Sequence, residues 1–126
     1  MVAGASGEPD CVLDPAIVEE LRALARAGNA GLLGRLQASF ARDTPGRLRA
    51  LRAAVADGDA DAVAFTTHTL KGSAANLGAV QVVRLCQRIE SLPATAAAGI
   101  VEPLLAELEQ GAARAQAELA RLAETG

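Results

Sequence analysis

The chain has one histidine, His68, followed three residues later by Lys71 and four residues later by Gly72. Neutral imidazole is a competent nucleophile near pH 7, because its ordinary pKa of about 6.5 leaves one ring nitrogen unprotonated. A lysine at i+3 on a helix stands beside that ring and can meet an anion built on it. A glycine at i+4 in a helix interior costs about 0.5–1 kcal/mol relative to alanine, and it leaves open space next to the imidazole. These three residues suit attack on a phosphoryl group brought by another protein. The loop G-x-x-x-x-G-K-[ST] is absent, so ATP is not the expected donor.

Other chemistries find less support. A hydrolytic triad would need a nucleophile near the histidine. Ser73 lies five residues on and around the other side of the helix, and Cys86 falls at a semi-buried position. A metal site would need further ligands, but there is no second histidine and Asp61 is two turns away. The two cysteines, Cys11 and Cys86, have no metal-ligand spacing, and a reduced cytoplasmic protein is the simpler expectation. A net charge of −3 provides no basic field for nucleic acid or an anionic membrane. Two phenylalanines with no tyrosine or tryptophan leave no stacking platform for single strands. No run of about 18 apolar residues is present to span a bilayer, and the first ten residues lack the pattern of a signal peptide.

The elements that must hold His68 follow from periodicity. Apolar residues make up 51% of the chain, mostly Ala, Leu and Val, which points to an all-α fold of one domain. Residues 1–10 are rich in small residues and proline and predict a disordered tail or linker stub, with the domain over 11–126. Asp14-Pro15 predicts a helix start, with Ile17, Leu21 and Leu24 on one face and Gly28-Asn29 at the end. Leu32, Leu33, Leu36, Phe40, Leu48, Leu51 and Val55 predict one long helix kinked at Thr44-Pro45. Asp57-Gly58-Asp59 is a turn whose last residue can cap the next helix.

That next helix carries Val63, Thr67, Leu70, Ala74 and Leu77 at spacings of three and four, which is a bundle-core seam, and Gly78 fits its end. Val82, Leu85, Ile89 and Leu92, closed by Pro93, mark a fourth helix. Val101, Leu105, Leu108, Ala112, Ala115, Leu119 and Leu122 mark a fifth, with Pro103 near its start. One short helix and four longer ones on short connections predict an antiparallel four-helix bundle with an additional N-terminal helix as a lid.

A helical wheel places His68 relative to that core. At about 100° per residue, His68 lies roughly 160° from Leu70 and faces solvent. Asp61, Ala64, Phe65, Lys71, Gly72 and Ala75 share its side. An outward phenylalanine among alanines predicts an apolar contact surface for a partner, formed by Ala64, Phe65 and Ala75 beside the histidine.

The stretch His68-Thr69-Leu70-Lys71-Gly72-Ser73-Ala74-Ala75-Asn76-Leu77-Gly78-Ala79 resembles the signature of histidine-containing phosphotransfer (HPt) domains of multistep phosphorelays. That signature reads His-x-Leu-Lys-Gly-Ser, a few small residues, then Leu-Gly-Ala. The resemblance runs from about Leu13 to Leu122. It includes Leu13-Asp14, Phe40 before Thr44-Pro45, Gly58-Asp59, and the Leu85-Cys86 and Ile89-Glu90 stretch. It implies that His68 is phosphorylated, that Lys71 neutralises the phosphoryl group and that Gly72 keeps the approach open. Gly78 would shape the turn between the two helices of the docking surface, and Ser73 would help to orient the site. Some family members carry a glutamine on the following helix near the histidine; Gln81 and Gln87 are both candidates.

The resemblance further implies response-regulator receiver domains as partners, which would bring the acidic pocket and the Mg²⁺. This chain then needs no cofactor of its own and acts as an intermediate without an ATP site. A monomer in the cytoplasm is the default expectation. The loop-like N-terminus and the end at Gly126 fit a free-standing protein and a C-terminal domain of a hybrid sensor histidine kinase about equally. A helical adaptor that binds a signalling partner without being phosphorylated is the alternative, and it has no need of the His68 block.

Overall fold

The computed structural model describes residues 12–93 and 95–125. The tail expected over residues 1–10, and Cys11, lie outside the described residues. Five helices follow in order: α1 (Pro15–Arg26), α2 (Leu32–Asp57), α3 (Ala60–Leu77), α4 (Val80–Glu90) and α5 (Ala98–Thr125). Four of them close a ring in which α2 packs on α3, α3 on α4, α4 on α5 and α5 on α2. The described residues contain no strand. The expected four-helix bundle with a short additional helix is the observed fold.

Local chemistry sets the reversals between helices. Asp14 caps α1, its carboxylate accepting from the Ala16 amide at 2.9 Å, with Pro15 in the first turn. At the end of α2, Gly58 takes φ +68°, and the Asp59 amide donates back to the Ala54 carbonyl at 3.0 Å. The Asp59 side chain then accepts from the Ala62 amide at 3.1 Å, so this residue closes one helix and opens the next. Gly78 repeats the device after α3. Its φ is +73°, its amide donates to Ala75 and the Ala79 amide donates to Ala74, the paired bonds of a Schellman ending.

Thr44-Pro45 does not divide α2, which is one element through that point. Pro45 has no amide hydrogen, so the Ala41 carbonyl has no i+4 donor there. Thr44 is buried, and its hydroxyl has no partner among the described residues.

The core is aliphatic. Leu51, Leu70, Val82, Leu108 and Leu119 are fully buried along the bundle axis, and Phe40 is the one ring inside. All seven positions expected for α5 are buried. On α3 the seam Thr67, Leu70, Ala74 and Leu77 is buried, with Val63 at its edge. Thr67 is a polar member of that seam, and its hydroxyl donates to the Val63 carbonyl at 2.7 Å. Because α3 turns this stripe inward, its opposite face must meet solvent. At the far side of the ring, Arg52 of α2 bonds Glu102 and Glu109 of α5 at 2.8 and 2.5 Å, clasping the two longest helices.

Candidate functional site

The outward face of α3 carries the residues whose chemistry the sequence singled out. His68 is exposed midway along the helix, together with Asp61, Ala64, Phe65, Gly72 and Ala75. Phe65 is 74% exposed, an unusual state for the larger share of a chain's aromatic surface. A Cβ placed on Gly72 would meet nothing within 4 Å, so the space beside the imidazole one turn away is open. Ser73 is half-buried toward the flank of the helix, away from the exposed stripe.

Lys71 differs from the sequence expectation in its surroundings. It does not stand free beside the ring. Its Nζ lies 2.7 Å from Oε1 of Glu90 at the end of α4, and the two side chains are only 28% and 26% exposed. The antiparallel packing of α3 and α4 brings together two residues 19 apart in sequence. Beneath them lies Cys86, fully buried one turn before Glu90. Its thiol is pushed up to about 12, first by burial and then by the Glu90 charge, with Lys71 opposing. The cysteine expected at a semi-buried position is therefore a core residue with an inert thiol.

Gly78 shapes the turn between α3 and α4, as expected, but offers no exposed surface to a partner. It is buried under the start of α1, where an added Cβ would lie 2.8 Å from Ile17 Cβ. The periodicity of α3 identifies the turn but carries no information on where α1 lands, and α1 covers it. The two glutamines also separate. Gln81 accepts from Arg114 of α5 at 3.1 Å and so turns to the side of α4 away from α3. Gln87 is exposed three residues before Glu90, on the side of α4 that faces α3.

Two concavities flank the exposed stripe. On the α2 side, Phe65, Thr66 and Thr69 border a hollow with Arg42, Asp43, Gly46, Arg47 and Ala50. There Arg42 bonds Asp43 at 3.0 Å and holds its carboxyl below the usual carboxylate value. On the α4 side, a cleft of about 230 Å³ lies between Ala54 and Val55, Val63 and Ala64, and the Ile89–Pro93 end of α4. Ala64, one turn before His68, borders that cleft. No group of three or more potential metal ligands exists among the described residues. No helix among them is long and apolar enough to cross a membrane.

An isolated histidine on the outer face of an antiparallel bundle, with a cation and an open glycine one turn away, offers a nucleophile, a charge and room for a phosphoryl group to approach. A model of the Hpt domain family matches residues 35–125, and the chain belongs to that family. Its function is histidine phosphotransfer in a phosphorelay, and its relay partners are receiver domains. It is similar to histidine-containing phosphotransfer protein B (HptB) from Pseudomonas aeruginosa PAO1. The crystal structure of that protein matches with a TM-score of 0.75 and 26% identity, over 93% of this chain and 98% of the other. Among curated proteins, none matches.

Proposed function

We propose that His68 is the residue that takes the phosphoryl group from an aspartyl-phosphate receiver domain and returns it to another. The observation that carries this is the exposure of the chain's sole histidine at the middle of α3, beside the open space at Gly72. In the forward step, the unprotonated ring nitrogen forms the P–N bond as the acyl-phosphate P–O bond breaks. The electron pair of that bond goes to the receiver's carboxylate. Lys71 offsets charge on the transferring group, and Gly72 lets the receiver's pocket reach the ring. Ala64, Phe65 and Ala75 supply the contact surface.

In this reading the chain, as the domain over 11–126, is a carrier rather than an enzyme with its own ATP site. The receiver brings the Mg²⁺ and the acidic pocket. The carrier works as a monomer in the cytoplasm, where ATP-driven kinases feed such relays, either alone or joined to a hybrid sensor kinase.

His68→Gln tests the assignment. The variant is expected to fold normally and to take no phosphoryl label from a phosphorylated receiver or from phosphoramidate. Label at the wild-type level would overturn the assignment, and a wild-type chain that takes no label would leave an adaptor role.

A further inference from the structure

The Lys71–Glu90 pair raises a question that the phosphoryl-acceptor reading leaves untouched. A cation meant for the phosphoryl group is already bound to a carboxylate. Both side chains are largely covered, and the contact is short at 2.7 Å. Lys71 is the only lysine or arginine on α3. The nearest basic residues in sequence on α4, Arg84 and Arg88, lie on its α5 flank with Gln81, Glu107 and Arg114. The ammonium cannot serve Glu90 and a phosphoryl group at full strength in one position, because each anion draws it in a different direction. Residues three apart on a helix stand about 5–6 Å apart at Cβ. A modest swing of the lysine stem therefore exchanges one partner for the other.

We infer that Glu90 is a positioning residue that competes with the phosphoryl group for Lys71, and so keeps phospho-His68 ready to release its cargo. The inference rests on the assignment of His68 as the phosphorylated residue. In the resting protein, Glu90 holds the ammonium one turn from the ring, pre-placed for an incoming anion. Once His68 is phosphorylated, any stabilisation that Lys71 gives the phosphoryl group is reduced by the cost of leaving Glu90. Coupling of this kind is reciprocal: the tighter the carboxylate holds the lysine, the weaker the hold on the phosphoryl group. A carrier gains from that balance, since an over-stabilised phosphohistidine would not pass its group on. The covered setting over Cys86 raises the strength of the competition above that of a fully solvated pair.

The test uses phosphoramidate as donor. The His68 nitrogen forms a P–N bond as the donor's own P–N bond breaks and ammonia leaves, so a fixed phosphoramidate-to-ammonia ratio sets an equilibrium that ³¹P NMR can read. Glu90→Gln keeps the shape and removes the charge. It is expected to raise the ratio of phosphorylated to free His68 about threefold to fivefold, the size that loss of a partly exposed ion pair produces. Lys71→Ala should lower the ratio. In the Lys71→Ala background the Glu90→Gln effect should largely vanish, which a purely structural role would not produce. Circular dichroism melts of all four proteins confirm that folded material is compared. The inference is overturned if Glu90→Gln leaves the equilibrium unchanged, or if its effect persists undiminished without Lys71. Failure of the His68 assignment is separate, because it shows as label on His68→Gln.

Discussion

The Asp14 amide donates to the Gly78 carbonyl at 2.7 Å, which pins the first residue before α1 onto the turn that joins α3 to α4. The start of α1 is thereby stapled to the end of the helix that carries His68. Apart from this turn, α1 rests on α2 and α3 and has no fully buried residue of its own.

Gly78→Ala should break that staple. The residue has φ +73°, and its new Cβ would fall 2.8 Å from Ile17 and 3.2 Å from the Asp14 amide nitrogen. We expect a loss of about 1–3 kcal/mol, the cost of a left-handed non-glycine residue plus displacement of α1. Thermal melts give the size. Hydrogen exchange over residues 15–26 should rise more than over α5, and equal protection there would contradict the staple.

Gly72 separates helix stability from access. Gly72→Ala meets open space, so it should stabilise the protein by about 0.5–1 kcal/mol. Gly72→Gln keeps that helix gain but lays a side chain toward the imidazole. It should fold well and slow transfer from a receiver by at least about tenfold, since small displacements of reacting groups are costly. Stopped-flow transfer rates for the two variants, beside their melts, make the check. Equal rates would deny that the open space matters.

Phe65→Ala should weaken receiver binding by about 2 kcal/mol, on the order of thirtyfold, because one large side chain often dominates a contact of this kind. With 74% of the residue exposed in the free protein, its stability should change by no more than about 0.5 kcal/mol. Calorimetric titration with a receiver gives the first quantity and denaturant unfolding the second. Phosphoramidate should still label His68. Unaltered affinity would move the docking surface elsewhere.

Acid stability reports on the clasp between α2 and α5. The Arg52 hydrogen bonds hold the Glu109 carboxyl below its ordinary value of 4.5. The pair therefore stabilises the fold above that pH, and this contribution is lost as pH falls through the lower folded value. Both side chains are more than a third exposed, so solvent screening limits it to about 1 kcal/mol or less. Glu109→Gln should lower stability at neutral pH by that amount and make the decline below pH 4.5 shallower. Urea midpoints measured from pH 7 to pH 3 would show it, and parallel curves for both proteins would refute it.

What the sequence made legible, and what it hid, follows the range of the interactions. Helix ends at Asp14-Pro15, Gly58-Asp59 and Gly78 depend on residues within one turn, and each was readable. The inward seam Thr67, Leu70, Ala74 and Leu77 depends on a period, and it placed His68 and Phe65 outward correctly. Thr44-Pro45 marked a local weakness in α2 without ending the helix, because packing on both sides of it outweighs one missing hydrogen bond. The pairing of Lys71 with Glu90 depends on how α4 rotates against α3, which no single-helix period encodes. The burial of Gly78 depends likewise on where α1 docks. The choice between Gln81 and Gln87 was open for the same reason: only the packing of α5 on α4 turns Gln81 away.

His68 stands alone on one outward face, and that has a kinetic consequence. With His68 as the proposed acceptor and the one histidine in the chain, a donor receiver and an acceptor receiver would need the same ring and its surroundings. They cannot be docked productively at once, so no ternary complex lies on the path. On that proposal, relay through His68 proceeds by double displacement, with the donor departing before the acceptor arrives. Each receiver, when abundant and unphosphorylated, then acts as a competitive inhibitor of the other. The flux through the carrier depends on the ratio of the two receivers as well as on their phosphorylation.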